Sequence, residues 1–463
     1  MRCRVGLVVA EQPGVKKDQD QPDGAKCKQE QFQFSRCQGR GVSAAFTGGR
    51  VTSDAGALLL READRKLGLM SAVAQVWRDR RNPDLIAHEL VGLVRQRVYG
   101  LCAGYEDLND HAHLRDDPCW QTALDRDEAL ASAPTLCRLE NAFSREDAVA
   151  VNTLLVEQFI HSQSAAPAEL VLDFDATDVP LHGQQEQRFF HGYYDQHCYL
   201  PLYVFCGEQL LVAYLRPANI DAARHAWAIL ALVVRRLRQA WPQVKIVFRG
   251  DSGFCRHRML DWCEAHGIDY VVGVAKNARL LALAAEPLEQ ARAAVAANGQ
   301  AHRSFHWLEY AAASWRHPRR VVLKAEHNER GSNPRFVVTN LMNLPAAEIY
   351  DRRYCPRGEA ENRIKEQQLD LFGTRCSAHR FVANQSRILL SALAYTLWEA
   401  IRRLGLQGTE LARARFGTLR LKLIKIGAVV LTNTRRVRLL CSAHTPVQTL
   451  WRLCAARLMA APG

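Results

Sequence analysis

No apolar run in the 463 residues approaches the length of a membrane span, which excludes a bilayer-crossing helix. The opening Met1-Arg2-Cys3-Arg4, followed by Val5 to Ala10, has too short an apolar core for a signal peptide, so a cytoplasmic protein is expected. Of the 14 cysteines none stands in a C-x-x-C pair. Cys198 and Cys206, like Cys255 and Cys263, are eight apart, which is not a zinc-ligand rhythm. Reduced, buried thiols are expected instead of a zinc site or a disulfide framework. Acid is scarcest at the C-terminal end. Residues 401–463 hold one acidic residue, Glu410, against 12 Arg or Lys, a balance of 12 − 1 = +11. The whole chain carries Lys+Arg 61 against Asp+Glu 48, a net +13. That balance favours a polyanionic partner such as nucleic acid.

What is present is the make-up of a globular protein of two to four domains, 48% hydrophobic and 24% charged. Residues 1–35 are polar and Gln/Asp/Lys-rich and read as a disordered leader. Residues 36–163 read as mainly helical. Asp54 is the expected N-cap of a helix ending at Gly68, a second helix spans about 84–100, and others cover about 105–113, 119–130 and 135–161. Arg78, Arg80 and Arg81 mark this region as a candidate DNA-end-binding domain.

Beyond the Ala/Pro linker near Pro167 the pattern changes to strands with helical crossovers, predicting an α/β unit over 168–400 with a mixed sheet. Strands are expected at Leu170–Phe174, Tyr199–Phe205, Leu210–Leu215, Lys245–Arg249 and Tyr270–Val274. A β-rich insertion follows over about 276–350. Residues 401–463 form a basic C-terminal region, in which Leu419, Leu421 and Leu423 alternate with Arg420 and Lys422 before a hairpin turn near Asn433.

Three stretches carry acids where acids are costly. Asp173 and Asp175 sit on one face of an apolar strand, where an unpaired carboxylate is expensive. Asp251 ends another apolar strand between Gly250 and Gly253, the end at which α/β sheets place their sites. Glu361 and Lys365 share one face of a helix starting near Gly358, with Tyr354 and Arg357 at its mouth. Asp178, Asp195, Glu359 and Glu366 read as turn, loop or solvated residues. Two strand-end aspartates and a helix glutamate are the parts needed to hold two divalent cations. Such a pair can activate the attacking oxygen and stabilise the leaving oxygen of a phosphoryl displacement.

Taken in order, these stretches resemble the DDE transposases of bacterial insertion sequences. Tyr354, Arg357 and Glu361 match the Y-x-x-R-x-x-x-E signature of one branch, and Asp175-Ala176-Thr177 matches its D-x-T motif, which selects Asp175 over Asp173. The branch often carries a Lys seven residues after the Glu; here that position is Gln368, and Lys365 is the candidate instead. Val51 to Leu60, His182-Gly183-Gln184-Gln185 and Arg357-Gly358-x-x-Glu361-Asn362-x-x-Lys365-Glu366 look like the group named after insertion sequence thirteen-eighty. The resemblance implies a ribonuclease-H-like mixed sheet interrupted by a β subdomain and preceded by the helical domain. It implies that Asp175, Asp251 and Glu361 bind two Mg²⁺ ions, with Mn²⁺ as a substitute, and that Tyr354, Arg357 and Lys365 contact DNA. The implied activity is metal-dependent cleavage and strand transfer at transposon ends, in cut-and-paste transposition. The partners would be terminal inverted repeats, target DNA and a second copy in a synaptic dimer, near the nucleoid. Trp307 and Trp315 are candidates to stack on a flipped base. The alternatives are a metal-dependent nuclease or resolvase of the same fold, or an inactive DNA-binding derivative.

Overall fold

The apolar residues Leu170, Leu172 and Phe174 build the strand on which the fold is laid. In the computed structural model, which describes residues 31–460, this strand is β1 (Glu169–Ala176). Its even-numbered side chains enter an apolar core beneath the sheet, and alternation turns Asp173 and Asp175 to the other face. Next in the chain come β2 (Leu202–Cys206) and β3 (Gln209–Tyr214), an antiparallel hairpin turned at Gly207, whose φ of +58° suits glycine. β2 runs antiparallel to β1. β4 (Lys245–Gly250) then pairs parallel with β1, and β5 (Asp269–Val274) parallel with β4. Helices α1 (Ala226–Ala240) and α2 (His257–Ala265) supply the long connections that parallel pairing needs.

The β-rich residues continue this sheet instead of forming a separate subdomain. β6 (His302–Tyr310), β7 (Arg319–Asn328) and β8 (Arg335–Thr339) extend it in the order β6-β7-β8-β5-β4-β1-β2-β3, with the short strand Gly331–Ser332 pairing β7. The physical reason is the open edge of β5, which β8 closes antiparallel. Two helices, Ala278–Leu283 and α3 (Ala285–Asn298), precede these strands and part at Ala284.

The helices of residues 57–161 share one apolar core with α4 (Phe381–Ala400), so Val94 and Val98 are buried in the same cluster as Leu393 and Trp398. The chain divides into residues 1–49 and 50–463, so these helices do not separate as a unit of their own. In the first unit the described residues form the hairpin Gln31–Cys37 with Arg40–Ala45, which begins inside the stretch expected as a leader; the rest of that leader lies outside the described residues.

Several local expectations give way to pairing across the chain. Asp54 caps no helix: the first helix runs Ala57–Leu67 from Gly56. Asp54 is buried and accepts hydrogen bonds from Tyr105 (2.6 Å) and Trp120 (3.0 Å), with Lys425 Nζ at 2.9 Å. The helix expected over 135–161 stops at Ala142, and a Ser144–Asp147 capping box starts a new one at Arg145. The alternation at Leu419 to Leu423 is helical, Phe416–Leu419 running into a wide turn over Arg420–Ile424. The hairpin near Asn433 is present as Ala428–Asn433 with Arg436–Cys441.

Candidate active site

Parallel pairing of β1 with β4 sets the site. Asp173 lies opposite Arg249 and Phe174 opposite Gly250, so the chain delivers Asp175 and Asp251 side by side where the two strands end. The sheet face opposite the α1/α2 core carries Val171, Val247 and Val271, and a third segment packs on it through Ile349 and Tyr350. That segment is a wide helical turn, Ile349–Tyr354, followed by α5 (Gly358–Lys365). Wide turns of this kind are rare and recur at functional sites. Tyr354, Arg357 and Glu361 are thereby laid over the face to which Asp173 and Asp175 point.

Asp175 is the electrostatic centre. Burial first, then the charges of Asp251 and Glu361, push its carboxyl up to about 7, while Arg357 pulls it down. Arg357 lies between the acids: its Nη2 donates to Glu361 at 2.6 Å and its Nη1 is 3.7 Å from Asp175. Asp251 Oδ1 accepts the Gly253 amide at 2.8 Å, which fixes the turn after β4. The Tyr354 hydroxyl is raised by burial and by Asp251, against the pull of Arg357.

Asp173 has a different environment. It is 1% exposed and takes both donors of the Arg249 fork, Nη2 at 2.7 Å and Nε closer still. Arg249 Nη1 reaches on to the Arg353 carbonyl at 2.7 Å, and Arg353 pairs with Glu169 at 2.5 Å. One guanidinium therefore ties β1, β4 and the Tyr354 segment together. In the sequence Arg249 stands only as the start of the Arg249–Phe254 stretch around Asp251, and nothing there among 61 basic residues assigns it this role.

Sequence reading missed Gly273. A Cβ there would lie 2.6 Å from the Tyr354 hydroxyl and 3.0 Å from the Ser252 amide, so only glycine lets both approach β5. Gly273→Ala is expected to cost about 1–3 kcal/mol by overpacking. Thermal denaturation should show the loss, with Tyr354 displaced from the acids; an unchanged melting temperature would mean that the contact yields freely.

Lys365 is exposed at the end of α5. Gln368, at the position where the branch often carries Lys, instead donates to the Asp178 carbonyl at 3.2 Å, beside the end of β1. Trp307 lies under the Arg320 guanidinium, 3.8 Å from its ring centre. Trp315 packs on the α1/α2 core beside Tyr310. Arg80 is bound to Asp147 and Ser144, and Arg81 to Asp79 and His88. The C-terminal charge is likewise divided. Arg402 grips Glu366, Arg457 caps the Gly405 and Gln407 carbonyls, and Arg420 serves the Leu101 and Cys102 carbonyls. Arg413, Lys422, Arg435, Arg436, Arg438 and Arg452 are exposed.

A family model described as transposase DDE domain, group 1, matches residues 34–462. The chain belongs to this DDE transposase family. Among solved structures, this transposase is similar to the cryo-EM structure of the piggyBac transposase synaptic complex with hairpin DNA. The identity is 9%, the coverage 81% of this chain and 80% of that one, and the TM-score 0.36. No curated protein matches the chain. No helix among the described residues is long and apolar enough to cross a membrane.

For a divalent cation the donor set fits in kind. Asp175, Asp251 and Glu361 offer only carboxylate oxygens, which hard cations take. Burial raises the Asp175 carboxyl first, and the charges of Asp251 and Glu361 add to it against Arg357. Among the described residues no three acidic, histidine or cysteine side chains are gathered to ligate one ion as they stand. Arg357 supplies the positive charge there, and its hold on Glu361 is what ion binding would have to exchange.

Proposed function

We propose that this transposase cleaves and rejoins the DNA ends of an insertion sequence in cut-and-paste transposition, with Asp175, Asp251 and Glu361 as the catalytic acids. The observation that carries the reading is the β1/β4 register, which brings Asp175 beside Asp251 under the helix bearing Glu361. The strand order β3-β2-β1-β4-β5, with only β4 and β5 parallel to the strand before them, supports a ribonuclease-H-like core. Mg²⁺ held by the three acids, or Mn²⁺ in its place, would activate the attacking oxygen and stabilise the leaving one. Tyr354 and Arg357 border the acids and would orient the scissile phosphate. Lys365 and the exposed C-terminal arginines would hold the flanking backbone by charge. In the first step water attacks phosphorus, and the bond to the 3′ oxygen breaks to leave a free 3′-hydroxyl. In the second that hydroxyl attacks another phosphodiester, forming one P–O bond as another breaks, so strands are exchanged without an energy source. Two ends held together call for two copies of the chain on DNA.

The test is cleavage of linear DNA carrying the element's terminal repeats. Cleavage confined to the ends, requiring a divalent ion and lost in Asp251→Asn, is the expected result. Cleavage that survives Asp251→Asn, or that persists in chelator, would overturn the assignment. Joined products separate a transposase from a nuclease.

A further inference from the structure

Between β1 and β2 the chain throws out a small hairpin. Phe189–His191 pairs antiparallel with Gln196–Tyr199, which in turn pairs with Val179–Pro180. Its surface is aromatic: Phe189 is 39% exposed, Phe190 55% and Tyr193 85%. Exposed aromatics gathered within five residues mark contact surfaces more often than accidents of packing.

The hairpin is held firmly and close to the acids. Gln196 donates to Asp178 Oδ2 at 2.6 Å, three residues beyond Asp175, and Tyr199 donates to the Glu186 carbonyl at 2.5 Å. Asp195 turns the chain at φ +51°. Behind Tyr193 the Tyr194 ring packs edge-on at 5.0 Å, and His191 lies 5.0 Å from Tyr194. Burial first, then the charges of Asp178 and Asp175, push the Tyr194 hydroxyl up to about 12.

We propose that Phe190 and Tyr193 form a stacking platform for unpaired nucleobases of the DNA strand entering the site. The inference rests on the DNA-cleaving function proposed above and adds a binding residue set to it. Cleavage at a duplex end frees bases, and every base offers a flat face to an aromatic ring whatever its sequence. A net charge of +13 draws the same strand in. Trp307 and Trp315, the aromatic candidates of the β-rich segment, are already stacked on Arg320 or packed on the core.

The test uses the full-length Asp251→Asn protein, which binds without cutting, and two probes. One is a blunt DNA duplex; the other bears a single-stranded overhang containing a fluorescent adenine analogue. The overhang should bind more tightly than the blunt duplex, with the analogue quenched by stacking. Adding Tyr193→Ala should weaken overhang binding by about 5- to 150-fold, the contribution of one base stack, and relieve the quenching. Blunt-duplex affinity and melting temperature should stay unchanged, and Tyr193→Phe should restore both signals. If the parent binds both probes and Tyr193→Ala and Phe190→Ala bind them equally well, the platform falls while the DNA-cleaving reading stands. A changed oligomeric state with unchanged quenching would also overturn it, in favour of a protein interface. A parent that binds neither probe sinks both readings.

Discussion

Asp175→Asn should cut DNA cleavage about a thousandfold and, without divalent ions, stabilise the fold. The two effects have one cause. Asp175 is 8% exposed, and burial with Asp251 and Glu361 nearby moves its carboxyl from 3.8 to about 7. A folded-state value above the unfolded one means that the native protein favours the protonated form. The cost of ionisation is therefore absent below about pH 4, grows as pH rises to about 7, and is complete above that. It amounts to roughly 4 kcal/mol at most, on 1.36 kcal/mol per pH unit. Asparagine keeps the shape and removes the charge. In chelator, denaturant unfolding at pH 8 should show the variant more stable than the parent by a few kcal/mol, and near pH 4 the two should match. Magnesium should raise the parent's stability and leave the variant's almost unmoved. Cleavage should fall about a thousandfold, on a loss of roughly 4 kcal/mol of transition-state stabilisation. A variant that cleaves at more than a tenth of the parent rate, or one destabilised at pH 8, would remove Asp175 from the site.

The contrast between Asp175 and Asp173 shows what a sequence can convey. Both stood out because a carboxylate in an apolar strand is costly, and alternation put them on one face. The motif match favoured Asp175, and the geometry explains how its neighbour differs, since Asp173 is neutralised by Arg249. That pairing spans 76 residues and no local pattern reports it. The same limit applies to the basic tail. Its composition is plain, but whether an arginine meets solvent or a carbonyl depends on partners such as Cys102, 318 residues from Arg420. Asp54 reads locally as a helix cap, yet its partners Tyr105, Trp120 and Lys425 belong to other elements. Strands fared better because their signal is local. β1, β4 and β5 are short apolar runs closed by polar or glycine residues, and burial between two layers leaves such runs little else to do. The β-rich segment lies between these cases: its strands show in the sequence, but the sheet edge they join does not.

Arg249 is the residue whose loss should matter most without touching DNA. It holds Asp173 with two donors and the Arg353 carbonyl with a third, so it ties β1 and β4 to the turn that leads into α5. Arg249→Met leaves Asp173 buried and uncompensated, and Asp173→Ala strands the guanidinium; each should cost about 3–5 kcal/mol. Arg249→Met with Asp173→Leu removes both charges and should recover most of that stability, since buried ion pairs replaced by apolar side chains of similar volume are often neutral. Activity should behave differently. The double variant loses the tie to Arg353, so cleavage should remain depressed although the fold is restored. Asp173→Ala alone should retain measurable cleavage where Asp175→Ala shows none. Denaturant unfolding and end cleavage on the same four proteins check this directly. If activity recovers in step with stability, Arg249 is only a core ion pair; if it stays low in a stable double variant, the guanidinium positions the catalytic acids.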